Sequence, residues 1–256
     1  MIQRIVASLA VVAGIIGIAC VDMSAPGGAA SISVLQLPSP SVAVGDTMRD
    51  SNGVVAPITV IAFDGAGNPI QATVQLFITD TLRFSHIGAN NVLVGDSIGE
   101  TRLLGQVGSL PTPVSSIPVT YAPTKLVPGL RPDTIRAPLG ADSATSLDSK
   151  PVAVRLVASN DSGSNKMIVH FQLLQAPPSQ NPTRPAVFLS NGVDTTDLGG
   201  NASVNVIVVS SFLADAALVG GTKVDSAIVL AIAKYKGLNV TGSPAKISVP
   251  IKVVLK

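Results

Sequence analysis

A chain of 256 residues that is 46% hydrophobic has room for two domains of ordinary size and is too apolar to be a disordered tail. Aromatics reach only 3%, Trp is absent, and the 23 Gly and 19 Pro follow no collagen-like period, so the composition implies Val, Ile, Leu and Ala cores between many turns rather than long helices. Lys and Arg (17) balance Asp and Glu (15) and are scattered singly, which excludes the clustered basic footprint of a nucleic-acid binder, and a single cysteine excludes an internal disulfide or a cysteine-held metal cluster.

The chain opens with Arg4, an apolar run over residues 5–16 and then Gly17-Ile18-Ala19-Cys20. A positive start, an apolar stretch and small residues before a cut site make an export signal, and the run is shorter than the roughly 20 apolar residues of a membrane span. The last four residues resemble the lipobox of bacterial lipoproteins, in which the cysteine is acylated and begins the mature chain. That resemblance implies lipidation at Cys20 and residence in the cell envelope, at the outer membrane, its periplasmic face or the cell surface. Gly17 stands where that box usually carries Leu, so an ordinary signal peptidase that reads two small residues also fits Gly17 and Ala19. Residues 21–31 are small and Gly-rich without apolar period and read as a flexible tether.

From residue 32 the texture becomes short β-branched runs between turn signals. Strands are predicted over residues 32–37, 42–44, 58–63, 72–78, 92–94, 101–107 and 117–121. In the fourth of these Thr73, Gln75 and Phe77 alternate with Val74, Leu76 and Ile78, two apolar faces that predict a central strand. Asp64-Gly65-Ala66-Gly67-Asn68-Pro69 reads as a hairpin turn. Residues 123–132 are Pro-rich and are taken as the linker between a first sandwich, residues 32–122, and a second, residues 133–256. The second half repeats the pattern, with strands predicted over residues 152–158, 167–174, 187–189, 202–210, 226–235 and 246–255. Between them lie a turn at residues 160–165, a Pro-rich loop at 176–185 and a polar turn at 191–201. Residues 212–219 read as an excursion that Gly220-Gly221 ends.

Three segments of the first half resemble bacterial immunoglobulin-like (Big) domains. Val60-Ile61-Ala62-Phe63-Asp64-Gly65-Ala66-Gly67-Asn68-Pro69-Ile70 is similar to the strand and Asp-x-x-Gly-Asn-Pro turn of that family. Residues 92–103 and Ile117-Pro118-Val119-Thr120-Tyr121 are similar to its late and closing strands. In the second half residues 154–163, Val169-His170-Phe171-Gln172-Leu173 and Asp194 through Val206 look like paired strands and a hairpin of the same superfamily. The resemblance implies an all-β chain with two tandem immunoglobulin-like Greek-key β-sandwiches after an N-terminal signal or anchor segment. These motifs specify backbone shape, and none of them carries a catalytic residue over.

Candidate chemistry is sparse. Ser243-Pro244-Ala245-Lys246 has the Ser-x-x-Lys spacing of penicillin-recognising hydrolases, but that chemistry needs one helical turn between the two, and Pro244 and a β-branched strand stand against it. His86 and His170 are too few for a His-rich metal site, and the alternation around His170 sets it opposite Val169 and Phe171, as a structural or solvent-facing ring. No Gly-x-Ser-x-Gly elbow offers a nucleophile, and Gly220-Gly221-Thr222-Lys223 lacks the parts of a phosphate loop. Asp194, Asp197 and Asn201 in one turn, and Asp64 and Asn68 in another, offer oxygen ligands to calcium but also favour turns for local reasons. No catalytic, cofactor or metal residue is assigned. The sequence thus points to a non-enzymatic envelope lipoprotein acting as a structural, adhesion or protein-interaction module. It would be held to the membrane through acylated Cys20 and would meet other envelope proteins or glycans, with a glycan- or calcium-dependent binding module as the alternative.

Overall fold

The computed structural model describes residues 29–139, 147–179, 181, 183–213 and 222–255; the leader, Cys20 and most of the tether lie outside the described residues. In the N-terminal half the strands are β1 (Ser31–Ile32), β2 (Val42–Ala43), β3 (Ala62–Phe63), β4 (Pro69–Ile70), β5 (Gln75–Ile78), β6 (Ser85–Ile87), β7 (Leu93–Gly95), β8 (Gly99–Val107), β9 (Leu110–Pro111) and β10 (Ser115–Thr120). The C-terminal half holds β11 (Lys125–Pro128), β12 (Ile135–Leu139), β13 (Leu147–Val157), β14 (Ile168–Gln175), β15 (Val187–Leu189), β16 (Val193–Thr195), β17 (Asn201–Val209), β18 (Thr222–Tyr235), β19 (Leu238–Asn239) and β20 (Ala245–Leu255).

Period-two patterning makes the strands two-faced. In β17 Ala202, Val204, Val206 and Val208 are buried while Asn201, Ser203 and Asn205 face solvent. The C-terminal half stacks a sheet of order β11-β13-β17-β15 on one of order β12-β20-β18-β14-β16, the strand order of an immunoglobulin-like sandwich. Its core joins both sheets through Val152, Val154 and Leu156 on one side and Val169, Phe171 and Ile251 on the other. Burying each such side chain fully contributes about 1.5–3 kcal/mol, so long aliphatic strands replace the missing Trp. The N-terminal half follows a related plan with shorter strands and a divided first layer: β1-β3-β4 in one sheet, β2-β10-β8-β5 in another and β6-β7 as a separate pair, around Met48, Ile58, Leu93, Leu103 and Ile117.

Both halves close in the same way. The chain starts in one sheet and crosses to the other, where it runs parallel to the last strand of its half: β2 beside β10 and β12 beside β20. All other ladders are antiparallel, apart from isolated bridges. The chain is all-β with two tandem immunoglobulin-like sandwiches.

Three expectations differ from the structure. The stretch read as a Pro-rich connection carries β11, which pairs with β13, and Pro138 sits in β12; both are edge strands, where a missing N–H faces no ladder partner. The segment with two apolar faces, expected in the middle of a sheet, is the edge strand β5, and Phe77 stays 42% exposed. The polar turn at residues 191–201 contains β16, which lengthens the sheet beyond β14.

Candidate functional site

Three loops share one construction. Asp50-Ser51-Asn52-Gly53-Val54, Asp64-Gly65-Ala66-Gly67-Asn68 and Asp197-Leu198-Gly199-Gly200-Asn201 each put glycine fourth, at φ +81°, +83° and +80°. In each, the Asp N–H donates to the carbonyl of the fifth residue, and the glycine N–H donates back to the Asp carbonyl. One carboxylate oxygen then accepts the N–H groups of the third and fifth residues at 2.8–2.9 Å. An L residue seldom adopts such a φ, so the glycine is dictated by the turn.

The same geometry shows what holds the oxygens that the sequence offers to calcium. Asp64 and Asp197 spend their oxygens inside their own turns. The backbone N–H and then the side-chain amide of Asn68, or of Asn201, hold each carboxyl below the ordinary value of 3.8. Asp194 turns elsewhere and accepts Thr195 N–H at 2.8 Å and Ser203 N–H at 2.7 Å. Among the described residues no three His, Cys, Asp or Glu side chains converge.

The first of the three loops has a second task that the sequence reading missed, although its Asp-x-x-Gly spacing matches the other two. Its Ser51 carbonyl meets His170 Nε2, and its Asn52 carbonyl accepts Lys234 Nζ at 2.8 Å, both from the outer side of the C-terminal sheet. A carbonyl only accepts, so the pairing sets the imidazole proton on Nε2. Beside the loop, Asp46 is 7% exposed. Its carboxylate takes Thr47 N–H at 2.7 Å, Arg49 Nε at 3.0 Å and, from the other half, the Lys236 backbone N–H at 2.8 Å.

Lys236 and Gly237 form a two-residue turn between β18 and β19, with φ 52° and 78°. Such a turn leaves the first central N–H outside the hairpin ladder, free to be aimed at Asp46. Tyr235 adds its hydroxyl to the Val44 carbonyl at 2.8 Å, Ser41 Oγ donates to the Lys166 carbonyl at 2.9 Å, and Asn165 N–H donates to Thr120 Oγ1 at 2.8 Å. The contact is close: a Cβ on Gly53 would lie 2.9 Å from Lys234 Cδ, and one on Gly237 would lie 3.2 Å from Arg49 Nη1. Two partly buried charges and a set of backbone groups thus hold the sandwiches in one orientation, and the arrangement contains no nucleophile and base in contact.

Elsewhere the sequence candidates separate. Ser243 Oγ accepts Ala233 N–H at 3.0 Å, and Lys246 lies on β20 rather than one helical turn away. His86 pairs with Asp96 on the surface at 2.8 Å, but its neighbours are committed: Ser85 to Thr101 and Ser97 to the Arg83 carbonyl. The loop at 176–185 is braced by Ser179 and Asn181, which bond to Arg184. Beside the junction an open groove is lined by residues of both halves, among them Asp96, Ile98, Tyr121, Ala158 and Asn160.

No family model matches the chain, and no curated protein matches it. Among solved structures it is similar to domains 4 and 5 of the S-layer protein SbsC, with 12% identity and a TM-score of 0.32 over 89% of this chain and 99% of that one. The Yersinia pseudotuberculosis adhesin InvE gives 17% identity and a TM-score of 0.34 over 86% of this chain, which spans 58% of that one. The D0-D1 domain of intimin gives 15% and 0.29 over 87% and 98%. Likeness at this level says nothing of partner or activity.

Proposed function

We propose that this protein is a non-enzymatic envelope lipoprotein whose two sandwiches act as one stiff structural, adhesion or protein-interaction module. The observation that carries the reading is the junction: seven hydrogen bonds link the halves among the described residues, one of them ending on a carboxylate that is almost fully buried. An enzyme or transporter that works by hinge motion would gain nothing from such a brace, whereas a spacer that holds a surface at a set distance and angle depends on it. Lipid on Cys20 supplies membrane affinity, and since one acyl chain binds only marginally, stable residence requires the multiply acylated cysteine of a processed lipoprotein. Cys20→Ser is expected to move the protein from the membrane fraction to the soluble envelope fraction, and unchanged membrane retention would defeat the anchor.

A second reading, a glycan-binding module, is favoured by the groove at Tyr121. Its hydroxyl has no protein partner among the described residues, and an aromatic face beside Asp96 and Asn160 suits a sugar ring. Tyr121→Ala should abolish any signal on a glycan array if this reading holds; an array silent for the unaltered protein removes it.

A further inference from the structure

Charge is divided unequally along the chain. Residues 29–122 carry 3 Lys and Arg against 6 Asp and Glu, whereas residues 123–256 carry 13 against 8, a net −3 followed by a net +5 with histidine neutral. Part of the excess gathers on one face. In β20 Ile247, Val249, Ile251 and Val253 enter the core, leaving Lys246, Ser248, Pro250 and Lys252 on the outer side. Arg136 of β12 stands directly opposite Lys252 in the parallel ladder. Among the described residues neither cation has a carboxylate within 4.0 Å; Asp148 accepts the backbone N–H of Arg136, not its guanidinium.

Like charges opposed across a ladder destabilise a sheet. Fold stability therefore gives no reason for this pair, and an anionic partner does. Next to the cations runs an apolar ridge: Ile228, Leu230 and Ile232 on the outer side of β18, half-exposed, with Leu174 of β14 at 51%. Leu230 stands opposite Lys246.

The N-terminal half offers the complement. On the outer face of its larger sheet Phe77 and Leu104 are paired across β5 and β8. The carboxylates of Asp80 and Glu100 lie toward one end of the pair, beside Arg102, and outnumber it; among the described residues neither has a cationic side-chain partner.

We propose that copies of this chain associate head to tail, the cation-flanked ridge of one copy's C-terminal half packing on the Phe77–Leu104 face of the next copy's N-terminal half. Unlike surfaces leave one free face at each end, so the assembly grows open rather than stopping at a symmetric pair. Its attraction runs between opposite net charges and is screened by salt. The contact does not involve the N-terminal anchor.

Sedimentation equilibrium on the chain from Ala29 onward, which holds every described strand, tests this. At low salt the average mass should pass that of a dimer as concentration rises, and at about 0.5 M salt the association should weaken at least tenfold. A variant with Lys246→Glu and Lys252→Glu, and a second with Phe77→Ser and Glu100→Gln, should each be monomeric with an unchanged thermal melt. Mixed in equal amounts they should form a dimer and go no further, because each retains one intact face. A chain that is monomeric throughout, a symmetric dimer, or a mixture that stays monomeric would overturn the proposal. So would loss of binding to phosphatidylglycerol vesicles as the sole effect of the two lysine changes.

Discussion

At the scale of single residues, Asp64 and Asp197 show how a carboxylate on an exposed loop does structural work. Both accept N–H groups from their own turns, and both titrate below the ordinary aspartate value. A carboxyl whose folded value is depressed stabilises the fold above its unfolded value, and that contribution is lost as pH falls through the folded one. Stability should therefore decline as pH falls below 3.8, the ordinary aspartate value. With Asp64→Asn and Asp197→Asn together, the decline of the urea midpoint with acid should become shallower, while the midpoint at neutral pH falls. An acid limb of unchanged steepness would show that other groups govern it.

At the scale of elements, the same turn costs different amounts in different surroundings. Gly67 and Gly200 hold the same place in the turn and nearly the same φ. Nothing lies within 4 Å of a Cβ on Gly67, whereas a Cβ on Gly200 would stand 2.3 Å from the Leu156 carbonyl oxygen and 2.8 Å from Gly163 Cα. Gly67→Ala should cost only the left-handed conformation, about 1–2 kcal/mol. Gly200→Ala must also displace the backbone of Leu156 and of the turn at Gly163 and should cost about 3 kcal/mol or more. Urea denaturation of the two variants measures the difference, and equal losses would refute the packing argument. The edge strands make the same point differently: β11 and β12 tolerate proline because each has only one ladder partner to satisfy.

At the scale of the whole molecule, the decisive feature is how the second sandwich sits on the first. Asp46 lies in the N-terminal half but receives a backbone N–H from the turn between β18 and β19, 190 residues away. Asp46→Ala would leave Arg49 Nε and that N–H without their acceptor and should weaken the junction by about 2–4 kcal/mol, leaving both cores intact. NMR relaxation should find a single tumbling time for the unaltered protein and separate times for the halves of the variant, with a broader solution-scattering profile. One shared tumbling time in the variant would mean that the remaining bonds suffice. The unequal charge of the halves acts at this scale too, in the proposed packing of one copy's outer face on the next.

Much of the architecture could be read from the chain itself. Period-two runs such as Ala202–Val208 and Ile247–Val253, separated by turns spelled Asp-x-x-Gly, define an all-β chain because alternation and glycine's freedom at positive φ act within a few residues. The strands at residues 125–128 and 135–139 were hidden by their prolines, whose tolerance depends on lying at a sheet edge. The edge position of β5 was equally hidden, for a strand's neighbours are chosen far away in the chain. Nothing local in the sequence sets Asp46, Ser51 and Asn52 apart; only the tertiary structure makes them the junction, because Lys236, His170 and Lys234 reach them from more than a hundred residues on. Local stereochemistry determined the strands and turns, and long-range hydrogen bonds with buried charge decided how the two sandwiches are joined.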